Sequence, residues 1–259
     1  MTAEVKDIEK KVQVWKLVLA YDGTEFHGWQ VQPQRATIQG ELRAAIERVT
    51  GENVLPQGSG RTDAGVHATG QVASFALAAP IPERNLAHAL NRTLPAAIRV
   101  LTAQRAPEGF HARHSARGKT YEYRIFRGEI CPPFLARYAY ALNHPLDFEA
   151  MQRAAKRVLG EHDFTSFADS DTGSERPGNL RTILSSEWIR DHAADSIAYR
   201  VSGNGFLHHM VRNLVGTFLE VGRGNLGEEE ICRVLGERAR ASAGPTAPAR
   251  GLWLVAVEY

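Results

Sequence analysis

The stretch GSGRTDAGVHATGQVASF, residues 58–75, sets one arginine and one aspartate two positions apart in a glycine-rich run. In a locally extended chain, residues two apart point the same way, which would bring Arg61 beside Asp63. A guanidinium next to a carboxylate favours its charged form. An ionised, oriented carboxylate can act as a nucleophile or as a base. The same residues also suit a plain turn, with Asp63 bonding its own backbone and the glycines supplying positive φ. Length argues for more than a turn: about a dozen residues is long for a link between strands, and long ordered loops are disproportionately functional. Glycines at 58, 60, 65 and 70 would let another backbone approach closely, with Gly60 and Gly65 flanking the Arg61–Asp63 pair. Their spacing matches neither a P-loop nor a dinucleotide fingerprint, so a nucleotide cofactor is not indicated.

Other chemistry-bearing residues fall in two clusters. Residues 110–128 carry Arg113, Arg117, Lys119, Arg124 and Arg127, with His111 and His114, against the single acidic Glu122. Such a run reads as a solvated face or as a phosphate track, and it leads into the segment holding Tyr121. That tyrosine is either a core aromatic or a ring presented to a ligand. His208, His209, Arg212 and Asn213 stand at the start of an apolar-periodic stretch, where the positive end of a helix would suit phosphate. The paired histidines do not suggest a metal, because adjacent helical positions diverge by roughly 100° and no acidic residue follows at i+4. Asp-Thr-Gly at 171–173 is the triplet of aspartic proteases, but only one copy is present, and it lies in the polar run ADSDTGSERPGN. Cys131 and Cys232 are a hundred residues apart, which offers neither a disulfide framework nor a zinc site.

The elements that must position these residues follow from periodicity. Strands are expected at 12–21, near 53–57, at 71–78 and at 98–104. Helices are expected from Thr37 to Gly51, on Ile38, Leu42, Ile46 and Val49, and across 82–95, on Leu86, Leu90 and Leu94. The order strand, helix, strand, strand, helix, strand then recurs. Its second copy has strands at 119–126, 182–190, 196–203 and 252–259, and helices at 147–160 and 206–222, with a shorter helix near 228–237. The two middle strands join around the turn-like DHAAD. Two βαββαβ units match the ferredoxin-like motif. The expected fold class is therefore α+β, with two ferredoxin-like halves of mostly antiparallel sheet meeting at a central cleft. Residues 1–11 read as a mobile polar tail, 12–110 as the N-terminal half with the aspartate loop, and 111–259 as the C-terminal half. A net charge of +2 neither demands nor excludes a nucleic-acid partner. The charged start MTAEVKDIEKK has no signal-peptide core, and no apolar run approaches ~18 residues. A reduced cytoplasmic setting without membrane attachment is expected.

GRTDAGVHATGQV resembles the catalytic motif of the tRNA pseudouridine synthase A (TruA) family, which acts at positions 38, 39 and 40 of the tRNA anticodon stem-loop. YDGTEFHGWQ with TIQGELRAAI, FHARHSARGKTYEYRI, GEHDFTSF, GFLHHMVRNLVGTFLEVG and GLWLVAVEY are similar to family segments, in family order, over nearly the whole chain. The resemblance implies an isomerase that cuts the bond from ribose to uracil N1, turns the base and rejoins it through C5. Stoichiometry then requires no redox cofactor, metal or energy source. The uridine must leave its stack to be reached, at a cost of a few kcal/mol. By the same resemblance Asp63 is the catalytic carboxylate, and Arg61 either pairs with it or fills the space the flipped base vacates. Tyr121 stacks on the base and is a candidate general base, although an ordinary phenol near 10 needs a lowered pKa or a water relay for that role. Leu252 packs on the uracil beside Tyr121, and Arg113, Arg117, Lys119, His208, His209 and Arg212 bind RNA. A homodimer is implied as well. The acidic, glycine-rich run 168–179 departs from the family pattern. The competing reading is a non-catalytic two-domain RNA-binding protein.

Overall fold

The computed structural model describes residues 12–169, 178–191 and 195–259. The first unit runs β1 (Gln13–Tyr21), α1 (Ile38–Thr50), β2 (Gln57–Gly58), β3 (His67–Leu77), α2 (Glu83–Thr93) and β4 (Ile98–Arg105). The second runs β5 (Gly118–Phe126), α3 (Pro133–Ala136), β6 (Tyr140–Ala141), α4 (Phe148–Lys156), β7 (Gly160–Asp163), β8 (Leu180–Asp191), β9 (Ser196–Gly203), α5 (Met210–Gly222), α6 (Glu230–Glu237) and β10 (Leu252–Glu258). Strand order in the first unit is β4-β1-β3 with β2 on the far side of β3. In the second it is β10-β5-β9-β8. Both are the antiparallel order that a βαββαβ repeat produces, so the expected duplication of pattern is present. The short α3, β6 and β7 are additions that the periodicity did not reveal.

The two units meet by joining their sheets. β3 and β10 pair in parallel through Trp253 opposite His67 and Leu254 opposite Ala68, which makes one ten-stranded sheet. Gly70 makes that seam possible, because a Cβ there would lie 2.1 Å from the Val255 carbonyl oxygen. The paired registers align Tyr21, Ala68, Leu254, Tyr121 and Val201 in one row across five strands. Residues directly opposite share a face, and this is the buried, helix-bearing face. Leu42 and Ile46 of α1 and Leu86 and Leu90 of α2 bury over the first unit; Met151 of α4 and Leu214 and Phe218 of α5 bury over the second. Burying a side chain of this size stabilises by about 1.5–3 kcal/mol.

Local chemistry sets the element ends. Thr37 caps α1 by accepting from the Gly40 amide, and Gly51 ends it at φ 75. Asp147 caps α4 by accepting from the Ala150 amide. Helix α5 begins later than the spacing predicts, at Met210, because His209 takes a left-handed φ of 59. Its apolar period extends back to Phe206, but the backbone does not. The segments 1–11 and 170–177 lie outside the described residues, as do 192–194. The polar tail, the Asp-Thr-Gly triplet and most of the DHAAD turn fall there. No helix of the described residues is long and apolar enough to cross a membrane.

Candidate active site

The Asp63 loop is built as a rigid ledge on the segment that follows β1. Trp29 donates its amide to the Thr62 carbonyl (3.0 Å), and the hydroxyls of Tyr21 and Thr62 bond at 2.8 Å. Gln71, fully buried on β3, clamps the other side. Its Oε1 accepts from the Ser59 hydroxyl (2.7 Å) and its Nε2 donates to the Gly60 carbonyl (3.0 Å). Some of the glycines serve this packing and leave no room for a ligand backbone. A Cβ at Gly28 would meet the Thr62 oxygen at 2.6 Å, and one at Gly58 would meet the Trp29 ring at 2.5 Å. Gly65 is needed for its φ of 78, and a Cβ there would only touch Ala249. Gly60 differs: the space beside it holds the Lys119 ammonium, 3.2 Å from where a Cβ would stand. At Gly58 and Gly70 the close partner is therefore protein, which corrects the expectation of a ligand backbone at those two positions, while Gly60 and Gly65 meet only the Lys119 and Ala249 side chains.

The guanidinium on Asp63 is Arg212, which corrects the expected pairing with Arg61. Arg212 Nη1 donates to Asp63 Oδ2 at 2.9 Å, across 149 residues of chain. Both side chains are largely enclosed, at 14% and 19% exposure. Arg212 is itself fixed, because its Nε donates to the Ala247 carbonyl (2.8 Å) while its own carbonyl accepts from the Ala247 amide (3.1 Å). That loop lies against α5 so closely that a Cβ at Gly216 would meet the Pro245 oxygen at 1.6 Å. Arg61 is exposed and makes no hydrogen bond or ion pair among the described residues. A sequence offers only near neighbours as partners, and here the partner comes from the other unit.

His208 and His209 also face Asp63. Because both precede α5, the helical divergence that argued against a shared ligand does not apply. Their rings stack at 3.9 Å, with His208 Nε2 3.5 Å from Asp63 Oδ1 and His209 Nε2 3.2 Å from Oδ2. Behind them, His209 Nδ1 lies 2.9 Å from Asp169 Oδ2. Burial pushes the His209 imidazolium down and the charges of His208 and Arg212 add to this, while Asp63 and Asp169 pull the other way. Asp63, His208 and His209 form the one three-residue group among the described residues whose ligand atoms could converge on a metal. Asn213 is no surface contact: it is buried, donating to the Phe167 carbonyl (2.9 Å) and accepting from Thr246 (2.7 Å).

Tyr121 lies on the same face, 7% exposed, edge-on to Phe206 with ring centres 5.0 Å apart. Burial pushes its phenol well above the ordinary value, and Tyr21 and the Asp63 charge push it further. The lowered pKa that a phenolate base would need is the opposite of what this environment produces. Leu252 is buried on β10 opposite Tyr123, while Leu254 is the direct partner of Tyr121. Leu252 is thus a diagonal neighbour of Tyr121, two residues from the expected side-by-side place. Of the basic run, Arg113 and Arg117 are exposed and Lys119 reaches the Asp63 loop. Arg124 instead stacks on Trp253 and bonds Glu122 at 2.8 Å. Arg127 is turned inward onto the carbonyls of Leu142 and His144. A cavity of about 410 Å³ opens on the Gly65 side of the loop, lined by Thr24, Arg137, Ala249 and Arg250.

Two residues escaped the sequence reading altogether. His67 is fully buried, accepts from the Gly23 amide at Nδ1 (3.1 Å), approaches the Arg137 carbonyl at Nε2 (3.0 Å) and stacks on Trp253 across the seam. Gln71 gave no signal, since a lone glutamine in a strand looks like a surface residue.

One carboxylate is thus held by a guanidinium from the opposite unit, with a buried tyrosine near enough to feel its charge. A family profile described as tRNA pseudouridine synthase matches residues 17–115 and 154–259. The chain is 50% identical to tRNA pseudouridine synthase A of Solibacter usitatus, over 94% of this chain and 98% of that protein. It is 46% identical to the protein of that name from Moorella thermoacetica and 44% identical to that of Acetivibrio thermocellus, with the same coverage. An archaeal box H/ACA sRNP complex gives a TM-score of 0.33 at 15% identity, over 79% of this chain and 44% of that one, too slight a likeness to bear on the fold. The chain belongs to the tRNA pseudouridine synthase family, isomerases that convert uridine to pseudouridine.

Proposed function

We propose that this protein isomerises uridine to pseudouridine at positions 38, 39 and 40 of the tRNA anticodon stem-loop, with Asp63 as the catalytic carboxylate. The observation that carries this reading is the Arg212–Asp63 pair, a carboxylate of one unit held by a guanidinium of the other, close enough for its charge to act on Tyr121. Asp63 attacks the base or the sugar, or removes a ribose proton, and the N1 glycosidic bond breaks. The freed uracil turns against Tyr121 and Leu252, C5 bonds to the ribose, the C5 proton passes to water and N1 takes a proton up, so the product is an isomer of the substrate. Tyr121 takes part as a ring surface and, through water, as a neutral hydroxyl; its raised pKa argues against phenolate. Arg61, exposed at the loop, fills the gap left when the uridine leaves its stack. Arg113, Arg117 and Lys119 track the phosphates, with His208 and His209 closing the other side. The reaction is an isomerisation and its stoichiometry calls for no cofactor. Residues 12–110 and 111–259 act as two halves around this site, in the cytoplasm and as a homodimer, a state that the exposed Ile130 (81%) before α3 and Phe134 (84%) within it would suit. Mapping pseudouridine in tRNA after incubation with enzyme tests the assignment. Modification at 38–40 by wild type and none by Asp63→Ala is expected; modification elsewhere would overturn the site assignment, and tight binding with no modification would leave a non-catalytic RNA-binding protein.

A further inference from the structure

We infer that Asp63, His208 and His209 bind one Zn²⁺-class transition-metal ion, and that this ion inhibits the enzyme reversibly by occupying the carboxylate. The inhibition, though not the binding, rests on the function proposed above. Zinc holds imidazole nitrogen at about 2.0–2.1 Å and carboxylate oxygen at about 2.0–2.2 Å, so ligands around a tetrahedral ion stand roughly 3.3–3.4 Å apart. The separation from His208 Nε2 to Asp63 Oδ1, the oxygen that Arg212 leaves open, is 3.5 Å. All three ligand atoms lie within 4.8 Å of one another.

A second observation points the same way. His209 faces a carboxylate oxygen at each ring nitrogen, Asp63 at Nε2 and Asp169 at Nδ1. One ring proton cannot serve both carboxylate oxygens, so this geometry calls for a second cation at the ring, either a further proton or a metal ion. A metal ion on the Nε2 side resolves the conflict: the ring proton goes to Asp169, as in the carboxylate–histidine–metal arrangement that orients ligands in known sites. His208 Nδ1 faces the same Asp169 oxygen at 3.9 Å. Imidazole selects zinc, copper or nickel over magnesium, which prefers oxygen ligands. Arg212 stands against tight binding, since its charge sits 2.9 Å from Asp63 Oδ2. It leaves Oδ1 for the ion and makes the ion displaceable, hence an inhibitor and not a resident cofactor.

The test has two arms. Co²⁺ is titrated into the purified protein carrying Cys131→Ser and Cys232→Ser, which removes thiol competition. One equivalent with the absorption of tetrahedral Co²⁺, lost in both Asp63→Ala and His208→Ala and displaced by Zn²⁺, is expected. No such absorption, or its persistence in a folded Asp63→Ala protein, would overturn the site. In the second arm Zn²⁺ should abolish turnover, chelator should restore it and excess Mg²⁺ should not mimic it. Full turnover with the metal bound would overturn the inhibition. An enzyme inactive without any metal would instead count against the proposed function, while the spectrum still decides the site.

Discussion

Replacing Arg212 by methionine keeps the unbranched stem of the side chain and removes both of its anchors, the Nε bond to Ala247 and the Nη1 bond to Asp63. Hydrogen bonds to a charged group contribute about 1.5–3 kcal/mol each, and about 1.36 kcal/mol is tenfold in rate. Loss of the Asp63 contact alone then lowers kcat by roughly 10- to 150-fold. Breaking a fully buried pair costs about 3–5 kcal/mol. That figure is an upper bound here, because the two side chains keep 14% and 19% of their exposure. Stability should also fall, since Arg212 Nε holds the Ala247 carbonyl at 2.8 Å. The assay is single-turnover tritium release from tRNA carrying 5-tritiated uridine, at saturating enzyme, beside an independent measurement of tRNA affinity. The expected outcome is a fall in the turnover rate with affinity changed by less than the rate. The effect should vanish in the Asp63→Asn background, where there is no carboxylate charge to orient. An Arg212→Met enzyme with unchanged turnover and weakened tRNA binding would refute this reasoning and leave Arg212 a phosphate contact.

Arg61→Met should lower turnover with no loss of stability beyond about 0.5 kcal/mol, as for an exposed side chain away from special features; a large drop in Tm would contradict its free placement on the loop. Gly70→Ala should prevent soluble expression, because its Cβ falls 2.1 Å from the Val255 oxygen, whereas Gly60→Ala should fold, displacing only the flexible end of Lys119; equal Tm values for the two variants would undo the account of the seam. Alkali should unfold the protein through its buried phenols. Tyr21 is pushed up to about 12 by burial, against the bonds from Thr62 and Gln71. The folded state therefore favours its protonated form, so its stability contribution is complete below the unfolded value near 10 and is lost as pH rises towards 12. Tm measured against pH, together with tyrosinate absorbance, should show ionisation and unfolding arriving together; ionisation of all tyrosines in a folded protein would contradict it.

Much of the fold was legible because its signals are local. The apolar, β-branched run QVWKLVLAY, the apolar spacing of α1 and the Thr37 and Asp147 caps each need only a few residues of context. Legibility failed where a distant partner decides the outcome. β3 begins at His67 and not near 71, since Thr69 and Gly70 look like loop until β10 pairs beside them. The start of α5 was missed because apolar period continues where the backbone has already turned left-handed at His209. The candidate site divides in the same way. Asp63 and Tyr121 stand in stretches whose resemblance spans the whole motif. The Arg212 contact joins the two units across the β3–β10 seam, while the Gln71 clamp and the Asp169–His209 contact each form inside one unit between residues too far apart in sequence to announce one another.

The central claim, that this fold exists to aim the Asp63 carboxylate at a uridine, is tested most directly by tritium release from 5-tritiated tRNA in wild type and Asp63→Ala at matched tRNA occupancy. Release by wild type with none from the variant, both binding tRNA alike, is the predicted result. Release at a similar rate from Asp63→Ala would contradict it.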